Sequence, residues 1–371
     1  MQSKRIFSIS MVKNEEDIIE SFVRYNINIL DGMIILDNGS TDNTATILRL
    51  LEKEGLPIYI LDDEDREYNQ AFKMNQLLLK AINEFKANII VPLDADEFII
   101  SSSEVNPRKL LEKIEFPVFS LVKWKTYVPT FDRNEKFIPA KITFARDDSL
   151  EEYYKVIIPK ELVENYGAKL TKGNHDLIYD QKYEDSVKRI LNPNLRIAHF
   201  PIRSKDQVLS RISVGWILSL CDINRKKHES GHKQKMFNEL KKTGKIEDED
   251  VINFAKAFAL VKEETEIKIY EDPINLSFCE NIEVKYTDGK INPLANLLES
   301  CEWISLAYLN LKKEVLAERM EFKAQIENLE KDKMDTEKIL KNKILEYQNS
   351  TSWMITSPLR KLGKILKSLK S

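Results

Sequence analysis

An α/β protein built on a largely parallel sheet is the fold class this sequence predicts, and three observations predict it. Four short apolar runs, Ile6 to Val12, Met33 to Leu36, Ile58 to Leu61 and Ile89 to Leu93, have the length and composition of strands buried on both faces. Stretches of helical periodicity separate them, and strand alternating with helix is the pattern of a sheet covered on both sides. Each run also ends in a polar cluster, at Lys13 to Glu16, Asp37 to Asp42, Asp62 to Asp65 and Asp94 to Glu97. Ligands bind beyond the carboxyl ends of such strands, so these clusters are expected to converge on one crevice.

Taken in order, Lys13-Asn14-Glu15-Glu16-Asp17 opens a helix with Ile18, Ile19, Phe22 and Val23 on one side, its early acids complementing the helix dipole. Asp37 to Thr44 is a tight loop with a glycine, followed by capping residues for the helix that holds Ile47, Leu48 and Leu51. Gln70 to Phe85 carries Leu77, Leu78, Ala81 and Ile82 at helical spacing. After Ser103 the pattern changes: Val118 to Val128, Phe137 to Arg146 and Tyr153 to Pro159 read as longer, half-exposed strands of a mixed sheet. Gly173 to Asp176 is a polar loop and Arg196 to Phe200 another strand. Lys205 to about Lys262 reads as mainly helical, and Glu271 to Ile291 as irregular with a strand at Ile282 to Tyr286. From Leu294 to Gln348 there is no proline or glycine, and Glu, Lys, Leu and Ala dominate, which predicts one long helix. The expected organisation is a main domain over 1–215, a mainly helical accessory region over 216–293, the long helix over 294–348 and a tail over 349–371.

At 371 residues the chain exceeds the usual single domain, and an apolar content of 42% supports a real core. Its 57 basic and 60 acidic residues leave a net charge of −3, which gives no field for nucleic acid. The three cysteines, Cys221, Cys279 and Cys301, form no Cys-x-x-Cys pair, as expected of reduced thiols in the cytoplasm. The start of the chain is too short and too polar for a signal peptide, and no window approaches the roughly 20 apolar residues of a membrane span.

Chemistry concentrates at Asn88 to Glu97, Asn-Ile-Ile-Val-Pro-Leu-Asp-Ala-Asp-Glu. Three carboxylates at the mouth of a buried strand repel one another and lose hydration, so positive charge is required there, most simply a divalent cation. Asp94 and Asp96, spaced i, i+2, can turn toward one centre, and hard oxygen ligands suit Mg²⁺ or Mn²⁺. The same Asp-x-Asp is also an ordinary strand-to-loop turn.

Three ordered stretches carry a resemblance: Met11-Val12-Lys13-Asn14-Glu15-Glu16, Leu36-Asp37-Asn38-Gly39-Ser40-Thr41-Asp42-Asn43-Thr44 and Pro92-Leu93-Asp94-Ala95-Asp96-Glu97. Together they resemble the inverting family 2-type glycosyltransferases of the nucleotide-sugar-binding fold called GT-A, a Rossmann-like domain. Gly173-Asn174-His175-Asp176 and His199-Phe200-Pro201-Ile202-Arg203-Ser204 resemble a bacterial subgroup of that family, and the likeness covers roughly residues 5–215. The resemblance implies metal-dependent transfer of a hexose from a nucleotide diphosphate to a sugar or lipid-linked acceptor hydroxyl. It implies that Lys13, Asn14, Glu15, Asp37 and Asn38 hold the nucleotide, with Lys73 and Asn75 facing the same crevice. Lys73 and Asn75 also suit a solvated helix face. Asp96 would bind Mn²⁺ or Mg²⁺, and Asp94 the ribose or the metal. Where many relatives carry two acids, this loop has Asp37-Asn38.

With four histidines in the chain, each can be weighed. His228 and His232 lie in a lysine-rich stretch and read as solvated. His199 ends an apolar strand, where the resemblance implies a metal ligand and the competing reading is a core histidine satisfied by backbone. His175 and Arg203 are candidates for the acceptor or metal site. A carboxylate must take the proton from the acceptor hydroxyl, and Asp176 and Glu97 are the candidates; Asp176, on a separate loop, is preferred because Glu97 adjoins the metal ligands. Gly-Asn-His-Asp is also a piece of a dinuclear metallophosphoesterase signature, but that chemistry needs further histidines, and none precedes His175. Nucleotidyl transfer calls for a glycine-rich loop, which Lys13 to Glu16 lacks. A nonenzymatic coiled-coil scaffold is the third reading.

That scaffold reading rests on the long helix. Phe322, Ile326, Leu329, Leu340 and Tyr347 fit a heptad seam interrupted at Lys333 and Thr336, which makes the helix a candidate for homo-oligomerisation, the alternative being a solvated helix. In the tail, Leu359, Leu362, Ile365, Leu366 and Leu369 share one face while Arg360, Lys361, Lys364, Lys367 and Lys370 supply positive charge. A basic amphipathic helix is a membrane-surface or partner-docking element. Ser352 to Arg360 resembles tails of bacterial envelope-polysaccharide glycosyltransferases, which implies a cytoplasmic enzyme peripheral on the inner membrane face.

Overall fold

The computed structural model describes residues 3–63, 69–151, 153–221, 231–260, 266–280 and 282–368. Several expectations fall wholly or partly outside them: the end of the acidic stretch at Asp65, parts of the helical region from Lys205 to Lys262, His228, Leu369 and Lys370, and the side chains of His232 and Leu366.

The first half of the chain alternates as its periodicity requires: β1 (Ile6–Val12), α1 (Ile19–Asn26), β2 (Gly32–Asp37), α2 (Thr44–Lys53), β3 (Ile58–Asp62), α3 (Gln70–Asn83) and β4 (Ile89–Pro92). β1 pairs in parallel with β2 and β4, and β2 with β3, giving the spatial order β3-β2-β1-β4. The two faces of these strands are sorted residue by residue. Ile6, Val12, Met33 and Ile35 pack with Phe22 and Val23 of α1 and Leu48 and Leu51 of α2. Phe7, Ile9 and Ile34 pack on the other face with Met74, Leu77, Leu78 and Ala81 of α3. Period-2 strands between amphipathic helices dictate this division. The chain builds outward from β1 to β3, then returns past it to β4. The switch point between β1 and β4 is therefore where a crevice opens.

One glycine is required by packing. Gly32 lies opposite Phe7 in the ladder, and a Cβ there would sit 2.4 Å from Phe7 Cε1.

Beyond β4 the sheet becomes mixed, and short elements follow in this order: β5 (Glu97–Ser101), α4 (Pro107–Leu111), β6 (Val118–Val128), α5 (Ile138–Lys141), β7 (Phe144–Arg146), β8 (Tyr154–Pro159), α6 (Lys160–Tyr166), β9 (Lys169–Leu170), β10 (Leu177–Ile178) and β11 (Lys188–His199). β8 joins β4 antiparallel, β6 joins β8, and β11 lies between β5 and β6. The result is the GT-A architecture. The strand expected over Phe137 to Arg146 is shorter than its apolar content implied: Pro139 has no N–H for a ladder, and a turn of helix occupies Ile138–Lys141.

α7 (Lys205–Cys221), α8 (Gly231–Thr243) and α9 (Asp248–Lys256) follow, and Val208 and Ile212 of α7 pack with Val251 and Ala255 of α9 on Val128. β12 (Ile269–Glu271) edges β7. The expected strand at Ile282 to Tyr286 is absent among the described residues. Instead the backbone N–H groups of Lys285, Tyr286 and Thr287 donate to the fully buried Glu20 carboxylate at 2.8, 2.7 and 3.0 Å. Glu20 also accepts from Arg24, which holds Glu54 through both terminal nitrogens at 2.9 Å. This strap belongs to the first compact unit, Met1–Ser300.

The second unit is Cys301–Ser371. α10 (Pro293–Asn349) starts with proline at its first position and Asn292 Oδ1 accepting from Ala295 N. From Ser305 to Asn349 every side chain is exposed. α11 (Thr351–Ile355) and α12 (Ser357–Ser368) complete the described chain, with the Arg360 guanidinium 3.6 Å from the Trp353 ring centroid. Among the described residues no helix is long and apolar enough to cross a membrane.

Candidate active site

The first two loops are built as one wall. Asn14, with φ +55°, accepts from Thr41 N at 2.8 Å through Oδ1 and donates its own N–H to Ser40 Oγ at 2.9 Å. Glu15 N donates to Thr44 Oγ1, and Glu16 Oε2 accepts from both nitrogens of Asn43. Asp37 Oδ1 is capped by Ser40. The amide oxygen of Asn38 accepts from Lys73 Nζ at 2.8 Å, and Lys73 also meets Asp63 at 2.7 Å. Lys73 is buried rather than on a solvated face. Asn75 departs from its expected place in the crevice: its amide donates to Leu170 O at 3.0 Å and accepts from Leu170 N at 2.8 Å, so it is saturated as a clasp on β9.

The turn after β4 places Asp94, Asp96 and Glu97 together, and the positive charge they require comes first from the protein itself. Lys155, fully buried in β8, reaches Asp94 Oδ2 at 2.6 Å and Glu97 Oε2 at 3.2 Å. Glu97 is fully buried and also accepts from Trp124 Nε1 at 2.8 Å and Asp94 N at 2.9 Å. Burial pushes its pKa up to about 8 against the pull of Lys155, with Asp94 and Asp96 adding to the rise. Three donors engage its two oxygens and the side chain is fully buried, so Glu97 is held by the protein itself. Sequence reasoning missed Lys155, although a lysine amid the apolar Val156, Ile157 and Ile158 was a visible signal.

Asp96 has a different neighbour. Its Oδ2 lies 3.6 Å from His199 Nε2, both side chains being nearly buried. The pairing of β11 with β5, His199 opposite Glu97, brings them together. Burial would raise the Asp96 pKa, but His199, Arg211 and Arg203 overcome it and hold the carboxyl below the usual range. His199 stacks on Trp124 with centroids 4.1 Å apart, and its buried Nδ1 has no hydrogen-bond partner, so the backbone-satisfied core histidine is not what is found. Among the described residues no cluster of three or more His, Cys, Asp or Glu is arranged to hold a metal. One carboxylate and one imidazole nevertheless fit an ion that takes its remaining ligands from phosphate and water, as Mg²⁺ commonly does.

Arg203 is not available to an acceptor or a metal-bound group. Its Nε and Nη2 hold Asp17 at 2.7 and 2.9 Å, Nη2 also meets Glu15 at 2.7 Å, and Nη1 donates to Phe200 O at 3.2 Å. It ties the end of β11 to the start of α1, and burial beside it, opposed by Arg203 itself, raises Glu15 to about 8. Arg211 of α7 was not singled out by its sequence context. Its Nη1 donates to Pro201 O at 2.8 Å, and its guanidinium lies 5.0 Å from the centroid of Phe258, whose ring is 5.5 Å from His199.

The loop between β9 and β10 brings His175 to the same wall. Its ring is 5.5 Å from Trp124 and 5.2 Å from Tyr153, and Nδ1 is 2.7 Å from Tyr154 O. Burial lowers its pKa below the ordinary value. Asp176 is half-exposed, with Oδ2 3.0 Å from Arg189 and Oδ1 accepting from Leu177 N.

An α/β nucleotide-binding domain of the GT-A type, with acids gathered at its switch point, is what the fold and these residues define. Residues 9–137 match the family model described as Glycosyl transferase family 2, so the chain carries a family 2 domain and is a glycosyltransferase. No curated protein matches it. Among solved structures it is similar to S. aureus TarS at 14% identity, covering 70% of this chain and 75% of that one with a TM-score of 0.35. It is similar to the mannosyltransferase PcManGT from Pyrobaculum calidifontis, in complex with GDP-Man and Mn²⁺, at 13% identity, with 70% and 81% covered and a TM-score of 0.35. Glucosyl-3-phosphoglycerate synthase from Mycobacterium tuberculosis, with Mn²⁺, UDP and glucosyl-3-phosphoglycerate, is similar at 16% identity, with 59% and 80% covered and a TM-score of 0.29.

Proposed function

We propose that this glycosyltransferase moves a hexose from a nucleotide diphosphate to an acceptor hydroxyl with inversion, using Mn²⁺ or Mg²⁺. The carrying observation is the nearly buried pair Asp96 and His199, 3.6 Å apart at the end of β4 beside the β1/β4 switch point. These two residues would hold the ion, which when bound neutralises the diphosphate leaving group. Lys13, Asn14, Asp37 and Asn38 form the nucleotide wall, Lys73 fixing Asn38. Asp94, held by Lys155, keeps its outer oxygen for the ribose. Glu15 and Arg203 set the position of the β11 end that carries His199. With Glu97 saturated, the proton acceptor comes from the His175–Asp176 loop.

The acceptor we propose is a sugar on a lipid carrier, in envelope polysaccharide synthesis, with the tail resting on the inner membrane face. Leu359, Leu362 and Ile365 are exposed on α12, and Lys361, Lys364 and Lys367 accompany them. Basic residues near an anionic surface contribute about 1 kcal/mol each, enough for reversible attachment. The exposed Phe322, Ile326, Leu329, Leu340 and Tyr347 of α10 would pair with a second copy.

Calorimetry with UDP, GDP and TDP, each with and without Mn²⁺, tests the reaction. Metal-enhanced binding of one of them is expected and names the donor base; no binding of any would refute the assignment.

A further inference from the structure

We propose that His175, through Nε2, is the base that takes the proton from the acceptor hydroxyl. The inference rests on the glycosyl-transfer reading and deepens it, because Glu97 is buried among donors and Asp176 faces Arg189 at the surface. Glu97 has both oxygens occupied by Trp124, Asp94 and Lys155. Asp176 has one oxygen on Arg189 and the other on the backbone of Leu177.

The loop is shaped around the imidazole. Tyr154 O, 2.7 Å from Nδ1, can only accept, so in the neutral ring Nδ1 carries the proton and Nε2 is left with its lone pair. Gly173 makes room for that nitrogen: with φ +82°, a Cβ would lie 2.6 Å from both Nε2 and Cδ2 of His175. The neighbouring Asn174 takes φ +59°, a left-handed conformation that asparagine adopts readily, and its side chain is buried. Gly173 N is pinned to Gln70 Oε1 at 3.0 Å, and Asp176 N and O to Thr171, which fixes the loop on α3 and β9.

Position then links this base to the leaving-group side. Trp124 lies between the two histidines, stacked on His199 and edge-on to His175, with Tyr153 closing the wall. The charged groups facing His175 are Lys155 of β8 and Asp94 of the turn after β4, with the imidazole of His199 on β11 beyond them; burial, helped by Lys155, holds the His175 pKa below its ordinary value against Asp94. In the step, Nε2 takes the hydroxyl proton and the oxygen's electron pair forms the bond to the anomeric carbon. The bond from that carbon to the diphosphate oxygen breaks, its electrons leaving on the nucleoside diphosphate.

His175→Asn tests this, since its amide can still donate to Tyr154 O but offers no basic nitrogen. Release of nucleoside diphosphate from UDP-, GDP- and TDP-hexoses, with water as acceptor, is expected to fall roughly 10²–10⁴-fold with nucleotide affinity retained. The wild-type rate is expected to drop as acid protonates His175, below the ordinary 6.5, and that limb to vanish in the variant. Gly173→Ala, which crowds Nε2, is expected to lower turnover more than nucleotide affinity. Nitrogen-15 imidazole spectra give a readout independent of turnover: the signals lost in His175→Asn should show a neutral Nδ1–H tautomer at pH 7. Normal turnover in His175→Asn beside an inactive Asp176→Asn overturns the assignment, as does an Nε2–H tautomer or an imidazolium. Wild-type protein that binds no nucleotide overturns the glycosyl-transfer reading itself.

Discussion

Replacing Lys155 by methionine probes the charge balance on which the site depends. The side chain is fully buried, 2.6 Å from Asp94 Oδ2 and 3.2 Å from the fully buried Glu97. Methionine preserves most of the volume, so the loss is electrostatic rather than a cavity. Removing one partner of a buried ion pair typically costs about 3–5 kcal/mol, because the other charge is left without compensation. Glu97 is already raised to about 8 by burial in spite of Lys155, and without the lysine it would rise further. Urea denaturation should therefore show a loss of about 3–5 kcal/mol, and calorimetry a Tm lower by roughly 5–8 °C. Glu97→Gln on the Lys155→Met background should cost less than on wild type, since the neutral amide needs no cation. A coupling above about 1 kcal/mol is expected for groups in contact. A Lys155→Met loss below about 1 kcal/mol, or strict additivity with Glu97→Gln, would refute the reasoning.

Three further outcomes follow from particular contacts. Glu54, held by Arg24 and Tyr286, has its pKa lowered from 4.5 to about 2, so its stabilisation is fully present above 4.5 and is lost as pH falls toward 2; Glu54→Gln should flatten the stability–pH curve in that window. Gly32→Ala, with its Cβ 2.4 Å from Phe7, should cost about 1–3 kcal/mol by overpacking, read from the urea midpoint. Truncation before Pro358 should release the protein from anionic vesicles, and salt should weaken attachment of the full chain; binding indifferent to both would remove the membrane role from α12.

The parallel half of the fold was legible because each strand and helix there announces its own period. Ile6 to Val12 reads as a strand buried on both faces, and Leu77, Leu78, Ala81 and Ile82 read as one helix face. The mixed half was less so. β5 follows the polar turn after β4 with no helix between them and was not singled out as a strand, while Pro139 hid a turn of helix inside an apolar stretch. The site was legible as a set of carboxylates but not as a set of partners. Asp94 meets Lys155 across 61 positions of sequence, Asp17 meets Arg203 across 186 and Glu20 meets the backbone of Thr287 across 267. Local pattern says that a buried acid needs a cation or donors; only the tertiary fold says which. For the same reason Asn75 looked like a ligand-facing amide, when it is clasped by the backbone of Leu170 far along the chain.

The central claim is that Asp96 and His199 hold a divalent ion through which the donor diphosphate binds. Titration of wild-type protein and Asp96→Ala with UDP, GDP and TDP, with and without Mn²⁺, tests it most directly. For the preferred nucleotide, Mn²⁺ should tighten binding to wild type, and Asp96→Ala should abolish that increment while its circular dichroism and thermal midpoint stay near wild type. An increment that survives in Asp96→Ala would contradict the account.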